Sequence, residues 1–112
     1  MTGRVCLYVD DLRDPPARHG DVDADGNRWE LARDFHTALY MLCQFNYDVV
    51  SLDHDIASFY GNKEMTGRDI LNWLIMRKLQ GFRTPKIIKV HSANPVGCAT
   101  MESDIKTHFP GE

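Results

Sequence analysis

Val5-Cys6-Leu7-Tyr8-Val9-Asp10-Asp11 is a short apolar run that ends abruptly in two acids, and the pattern recurs twice. Val49-Val50-Ser51-Leu52 runs into Asp53-His54-Asp55, and Ile87-Ile88-Lys89-Val90 runs into His91-Ser92-Ala93-Asn94. If the three runs are adjacent parallel strands, their carboxyl ends share one sheet edge, where open α/β folds place their sites. The acids and imidazoles of all three ends then face one crevice. Like charges held that close oppose one another's ionisation unless a cation, a shared proton or a substrate compensates. The pattern therefore predicts a phosphate-handling site that uses a divalent metal.

The rest of the chain reads outward from those runs. Its 112 residues suffice for a single domain spanning 1–112 with a core that needs no disulfide. A hydrophobic share of 43% and a charged share of 26% are those of a globular protein rather than a disordered one. No apolar stretch approaches the roughly 18 residues of a membrane span, and the first residues carry no signal-peptide pattern, so a cytoplasmic protein without a membrane partner is expected. Cys6, Cys43 and Cys98 are too far apart for a C-x-x-C site; Cys6 and Cys43 are expected as reduced core thiols. A net charge of −3 argues against an extended duplex nucleic-acid partner while leaving a small ligand or a nucleic-acid end open.

Val5–Val9 is expected as a central strand covered on both faces. Residues 10–28, rich in Asp, Pro and Gly, form a long loop beside the site. Within it Asp21-Val-Asp-Ala-Asp-Gly-Asn27 opens like a calcium loop, but the twelfth position is Ala32 rather than Glu, and an Asp25-Gly26 turn closing a hairpin onto the next strand fits better. Trp29–Arg33 reads as a strand, and Asp34 as the N-cap of a helix bearing Phe35, Ala38, Leu39 and Leu42. Asp48–Leu52 is the next strand. Residues 56–65 read as a loop long enough to act as a flap. Thr66-Gly-Arg-Asp69 starts a second helix with a buried stripe of Ile70, Leu71, Leu74, Ile75 and Leu79, ended by Gly81. Lys86–Val90 is a fourth strand, followed by a helix from about Val96 to His108. The alternation predicts an α/β layer with a mainly parallel sheet of about four strands.

Chemistry concentrates at the strand ends. Asp10, Asp11 and Asp53 are the candidate metal ligands, with Asp55 either a fourth ligand or a partner for a histidine. Magnesium, with manganese as the alternative, takes oxygen ligands and keeps several waters, so two or three carboxylates suffice. His54 and His91 are candidate general acid and base because imidazole exchanges protons near neutral pH. Ser92 and Asn94, just ahead of a helix, are candidate phosphate holders, and Arg13 and Arg33 candidate phosphate clamps. His19, His36 and His108 read as surface groups.

Taken together, Leu7-Tyr8-Val9-Asp10-Asp11-Leu12-Arg13-Asp14-Pro15-Pro16, Trp29 with Arg33, Ser51-Leu52-Asp53-His54-Asp55, Thr66-Gly67, and Val90-His91-Ser92-Ala93-Asn94-Pro95-Val96-Gly97 with Met101 resemble the cyclic-phosphate-processing receiver-like domain. The resemblance runs nearly end to end and implies a flavodoxin-like, receiver-like three-layer fold, cut off before a fifth strand. It places Asp10-Asp11 at the receiver acidic pair, Asp53 at the phosphoacceptor position and His91 at the position of the switching Thr or Ser, which makes His91 the histidine expected to matter more. With no fifth strand to bring the receiver lysine, it implies that phosphoryl signalling is lost and that a cyclic-phosphate nucleotide or RNA end is the partner. Ile56-Ala57 departs from the Leu-Gly associated with the family after its Asp-His-Asp. Three functions stay open at this point: a metal-assisted phosphoesterase or its metal-free variant, a non-catalytic module that binds a phosphorylated ligand, and a small inhibitor or adaptor with an unknown protein partner.

Overall fold

The computed structural model describes residues 3–56, 58–91 and 95–110. In chain order the elements are β1 (Val5–Val9), β2 (Arg28–Ala32), α1 (Phe35–Gln44), β3 (Val49–Leu52), β4 (Ser58–Tyr60), β5 (Lys63–Met65), α2 (Gly67–Leu79), β6 (Ile87–Val90) and α3 (Pro95–His108). The main sheet is four-stranded and wholly parallel, in the order β2-β1-β3-β6. The three runs that end in acids or histidine are therefore neighbours, as their repetition required.

Strand alternation divides the sheet into two unlike faces. Leu7, Val9, Ala32, Val50, Leu52 and Ile88 form one core with Phe35, Ala38 and Met41 of α1, Ile70, Leu71 and Leu74 of α2, and Met101 of α3. All three helices thus lie on one face. Cys6, Tyr8, Ser51 and Lys89 project from the other face, where Tyr8 is opposite Leu31 and Ser51, and Ser51 opposite Lys89. The 10–28 segment lies against that side: Asp23 accepts from Trp29 Nε1 at 2.8 Å, and His19 Nδ1 from the Leu31 N–H at 3.0 Å. Helices, sheet and this irregular segment make the three layers of an α/β, receiver-like fold. Because the outer layer is a loop, Tyr8 is only partly covered, which corrects the expectation of a strand covered on both faces.

Local chemistry explains the boundaries. Asp34 caps α1 by accepting the Thr37 N–H at 2.8 Å, and Asp69 Oδ2 receives the Thr66 N–H at 2.7 Å at the start of α2. The Asp23–Gly26 turn closes with Gly26 at φ +83° and joins Val22 to Arg28 in an antiparallel bridge. Asp23 Oδ1 accepts the N–H groups of Asp25 and Asn27 at 2.9 and 3.0 Å, so the calcium-like sequence is a self-bonded turn.

Three local expectations need correction. Residues 58–65 form an antiparallel hairpin rather than an irregular loop; it turns at Gly61, φ +62°, and is fastened to α1 where Ser58 Oγ accepts the Phe35 N–H at 3.2 Å. Its strands are three residues each, too short to show a period. Leu79 is exposed, because nine residues at 3.6 per turn place it half a turn from Ile70. Cys43 is exposed as well, outside the α1 stripe of Phe35, Ala38 and Met41, whereas Cys6 is core.

Candidate active site

The parallel ladder runs one rung past the strands and so fixes the site. Asp10 N donates to Ala32 O at 3.1 Å, Asp53 N to Val9 O at 2.9 Å, and His91 N to Leu52 O at 2.9 Å. Asp10, Asp53 and His91 consequently stand side by side at the carboxyl edge. One carboxylate oxygen from each of Asp10, Asp11 and Asp53 lies within 4.8 Å of the others. Three hard oxygen donors at that spacing fit a small divalent cation, which shares its remaining positions with water or phosphate oxygens.

Asp10 is fully buried, and its bonds say why the chain can leave it there. Burial works against its ionised form, but the N–H groups of Arg13 and Leu12, both 2.9 Å from Oδ1, together with His91, outweigh it and hold the carboxyl below the usual range. The same two bonds turn the chain sharply after β1. Arg33 secures that turn, donating to the carbonyl of Arg13 at 2.7 Å, to that of Asp10 at 3.4 Å and to Asp14 Oδ1 at 2.7 Å. Its guanidinium is thereby committed to the loop. Arg13 is exposed, and its charge reaches both His91 and Tyr8.

The histidines occupy different settings. His54 Nδ1 is 2.8 Å from Asp55 Oδ1, so the fourth acid stands with the histidine rather than with the three-carboxylate group. The ring rests on α3 at Gly97, where a Cβ would come within 2.7 Å of it. Among the described residues its Nε2 has no hydrogen-bond partner. His91 is held at both nitrogens: Nε2 is 3.1 Å from Asp10 Oδ2 and Nδ1 is 2.5 Å from Ser51 Oγ. Its ring also stacks on Tyr8, with centroids 4.1 Å apart and planes 9° from parallel. Burial pushes its pKa below the ordinary imidazole value, against the opposing pull of Asp10. Ser92 and Asn94 lie outside the described residues.

Residues 5–107 match the family model described as the cyclic-phosphate processing receiver domain. The chain belongs to that family. No curated protein and no solved structure matches it. In this cyclic-phosphate processing receiver domain the shared motif residues have distinct physical work. Gly67 lets α2 start against the β3 exit: its N–H donates to His54 O at 2.8 Å, and a Cβ there would fall 1.9 Å from Asp53 O. Trp29 anchors the Asp23 turn, and Met101 fills the core with no exposed surface. Ser51 and Tyr8 stand inside the recognised motifs, yet sequence alone assigned them no role. The available signal was a lone hydroxyl in Val-Val-Ser-Leu, a strand buried along its whole length.

Proposed function

We propose that this domain is a metal-assisted phosphoesterase that opens a cyclic phosphate in a nucleotide or at an RNA end. Asp10, Asp11 and Asp53 would hold the cation, magnesium or manganese, and a cation bound there would offset phosphoryl charge and lower the pKa of a bound water. The observation that carries this proposal is the convergence of three carboxylate oxygens within 4.8 Å beside two differently held histidines, in a chain of the cyclic-phosphate family.

Opening the ring requires water to add to phosphorus, one P–O ester bond to break, and a proton to reach the departing hydroxyl oxygen. His54 suits that proton transfer: Asp55 orients the ring through Nδ1 and leaves Nε2 to exchange a proton. His91, the histidine that the receiver switch position puts first, would have to exchange its Asp10 bond to reach a substrate, so the hydrogen bonds favour His54 over it. Arg13 is the proposed phosphate clamp, and Arg33 holds the loop that carries it. Ser92 and Asn94 keep their proposed role of orienting the phosphate ahead of α3.

The test is incubation of purified protein with 2′,3′-cyclic nucleotides, cyclic-phosphate-ended RNA and cyclic oligonucleotides, with and without magnesium. Metal-dependent conversion of one of these to a monoester supports the proposal. Saturable binding with no conversion would make the domain a non-catalytic receiver-like module instead.

A further inference from the structure

His91 lies at the end of β6, and each edge of its ring meets a different neighbour on the face opposite the helices. Ser51, on the adjacent strand, presents its hydroxyl to Nδ1 at 2.5 Å, and Tyr8, opposite Ser51 in the register, supplies the flat surface beneath the ring. Ser51 is 7% exposed, and a buried hydroxyl left without a partner destabilises the fold. The remaining edge, Nε2, reaches Asp10 Oδ2 at 3.1 Å.

An ionised carboxylate only accepts, so the bond to Asp10 requires a proton on Nε2. The Ser51 hydroxyl can donate to Nδ1 or accept from it, and holds that edge of the ring either way. We propose that Ser51 and Tyr8 are positioning residues that hold the His91 ring with its Nε2–H against Asp10 Oδ2 and thereby aim the Asp10 carboxylate at Asp11 and Asp53. With Oδ1 taken by the backbone of Leu12 and Arg13, the bond from His91 is the side-chain contact that sets the carboxylate's rotation. Partners of this outer kind govern affinity by orienting the ligand, and removing one typically lowers metal affinity about 10- to 100-fold. The effect on affinity rests on the proposal that the three acids hold a cation; the placement of the His91 ring does not.

Two measurements on the whole chain test it. Long-range 1H–15N correlation on the apo protein should show His91 with a protonated Nε2. Manganese titration followed by electron paramagnetic resonance should then show affinity falling about 10- to 100-fold in Ser51→Ala. Ser51→Thr keeps the hydroxyl on a residue that suits a strand and should restore both the Nε2–H signal and the affinity. Tyr8→Leu should loosen the ring and lower affinity less than Ser51→Ala does. A hydroxyl that only supports the fold would lower the melting temperature of Ser51→Ala without moving its manganese affinity, and that result would overturn the proposal. So would a wild-type His91 with no proton on Nε2, whether or not any variant folds. A wild type that shows the Nε2–H but binds no manganese would defeat the cation site and leave the placement of the ring standing.

Discussion

Asp53→Asn should stabilise the metal-free protein and weaken its metal binding, two effects of opposite sign from one change. The side chain keeps its size and polarity while one negative charge leaves a group whose carboxylate oxygens lie within 4.8 Å of one another. Two unit charges at that separation repel by about 3.5 kcal/mol at an effective dielectric of about 20, and by about 0.9 kcal/mol in bulk water. Asp10 is buried, but Asp11 and Asp53 are only partly so, and solvent screening moves the value toward the lower figure. Removing the two pairs that involve Asp53 should therefore leave the apo protein about 2 kcal/mol more stable, a rise of several degrees in Tm for a domain of this size. Losing a carboxylate ligand should lower manganese affinity by at least about tenfold. Binding raises stability in proportion to the logarithm of ligand concentration over Kd, so the melt of the wild type should climb steeply with added manganese while that of the variant climbs later. Calorimetric melts in chelator and across a manganese series measure both effects. An apo variant no more stable than wild type, or identical manganese shifts in the two proteins, would refute the electrostatic argument.

His54→Ala should lower turnover of whichever cyclic phosphate the wild type opens by about two to four orders of magnitude, the scale of general acid–base catalysis, with manganese affinity changed far less; initial rates beside a metal titration check this, and near-wild-type turnover in a folded variant would remove His54 from the mechanism. Gly67→Ala places a Cβ 1.9 Å from the Asp53 carbonyl, so α2 and the β3 exit must move apart; urea unfolding should show a loss of about 1–3 kcal/mol, the usual cost of overpacking. Tyr47 donates to Glu30 Oε1 at 2.5 Å, and burial followed by that carboxylate pushes its phenol above the ordinary range. A neutral group with a raised folded pKa gives stability that is fully present below the unfolded value of about 10 and lost as pH rises through the folded one. Tyr47→Phe should therefore cost about 1–2 kcal/mol in urea melts at pH 7 and lose less stability than wild type between about pH 10 and 11.

The sheet and its acidic edge were legible because both follow from patterns that sequence expresses directly. Apolar runs ending in acids mark parallel strands, and strands that pair must bring Asp10, Asp53 and His91 together. Asp34, Asp69 and the Asp23 turn were readable for a similar reason, since their side chains bond to backbone only a few residues away. What sequence did not show was contact across the fold. The Ser51–His91 bond spans forty residues and the Asp10–His91 bond eighty-one, and no periodicity encodes either. The placement of all three helices on one face was equally silent, because an apolar strand such as Val5–Val9 reads as covered on both sides whether a helix or a loop lies over the second. The choice of Asp55 between metal and histidine was left open by its position two residues beyond the strand's last rung, and a 2.8 Å bond to His54 now accounts for its carboxylate.

The measurement closest to the central claim is 31P NMR of a 2′,3′-cyclic nucleotide incubated with the protein in 18O-enriched water, first with magnesium and then with chelator. The ring should open to a phosphomonoester carrying one solvent-derived oxygen, arrested by chelator, restored by excess magnesium and lost in Asp53→Asn. An unopened ring across the cyclic nucleotides and cyclic-phosphate-ended RNA, or opening that proceeds equally in chelator, would contradict it.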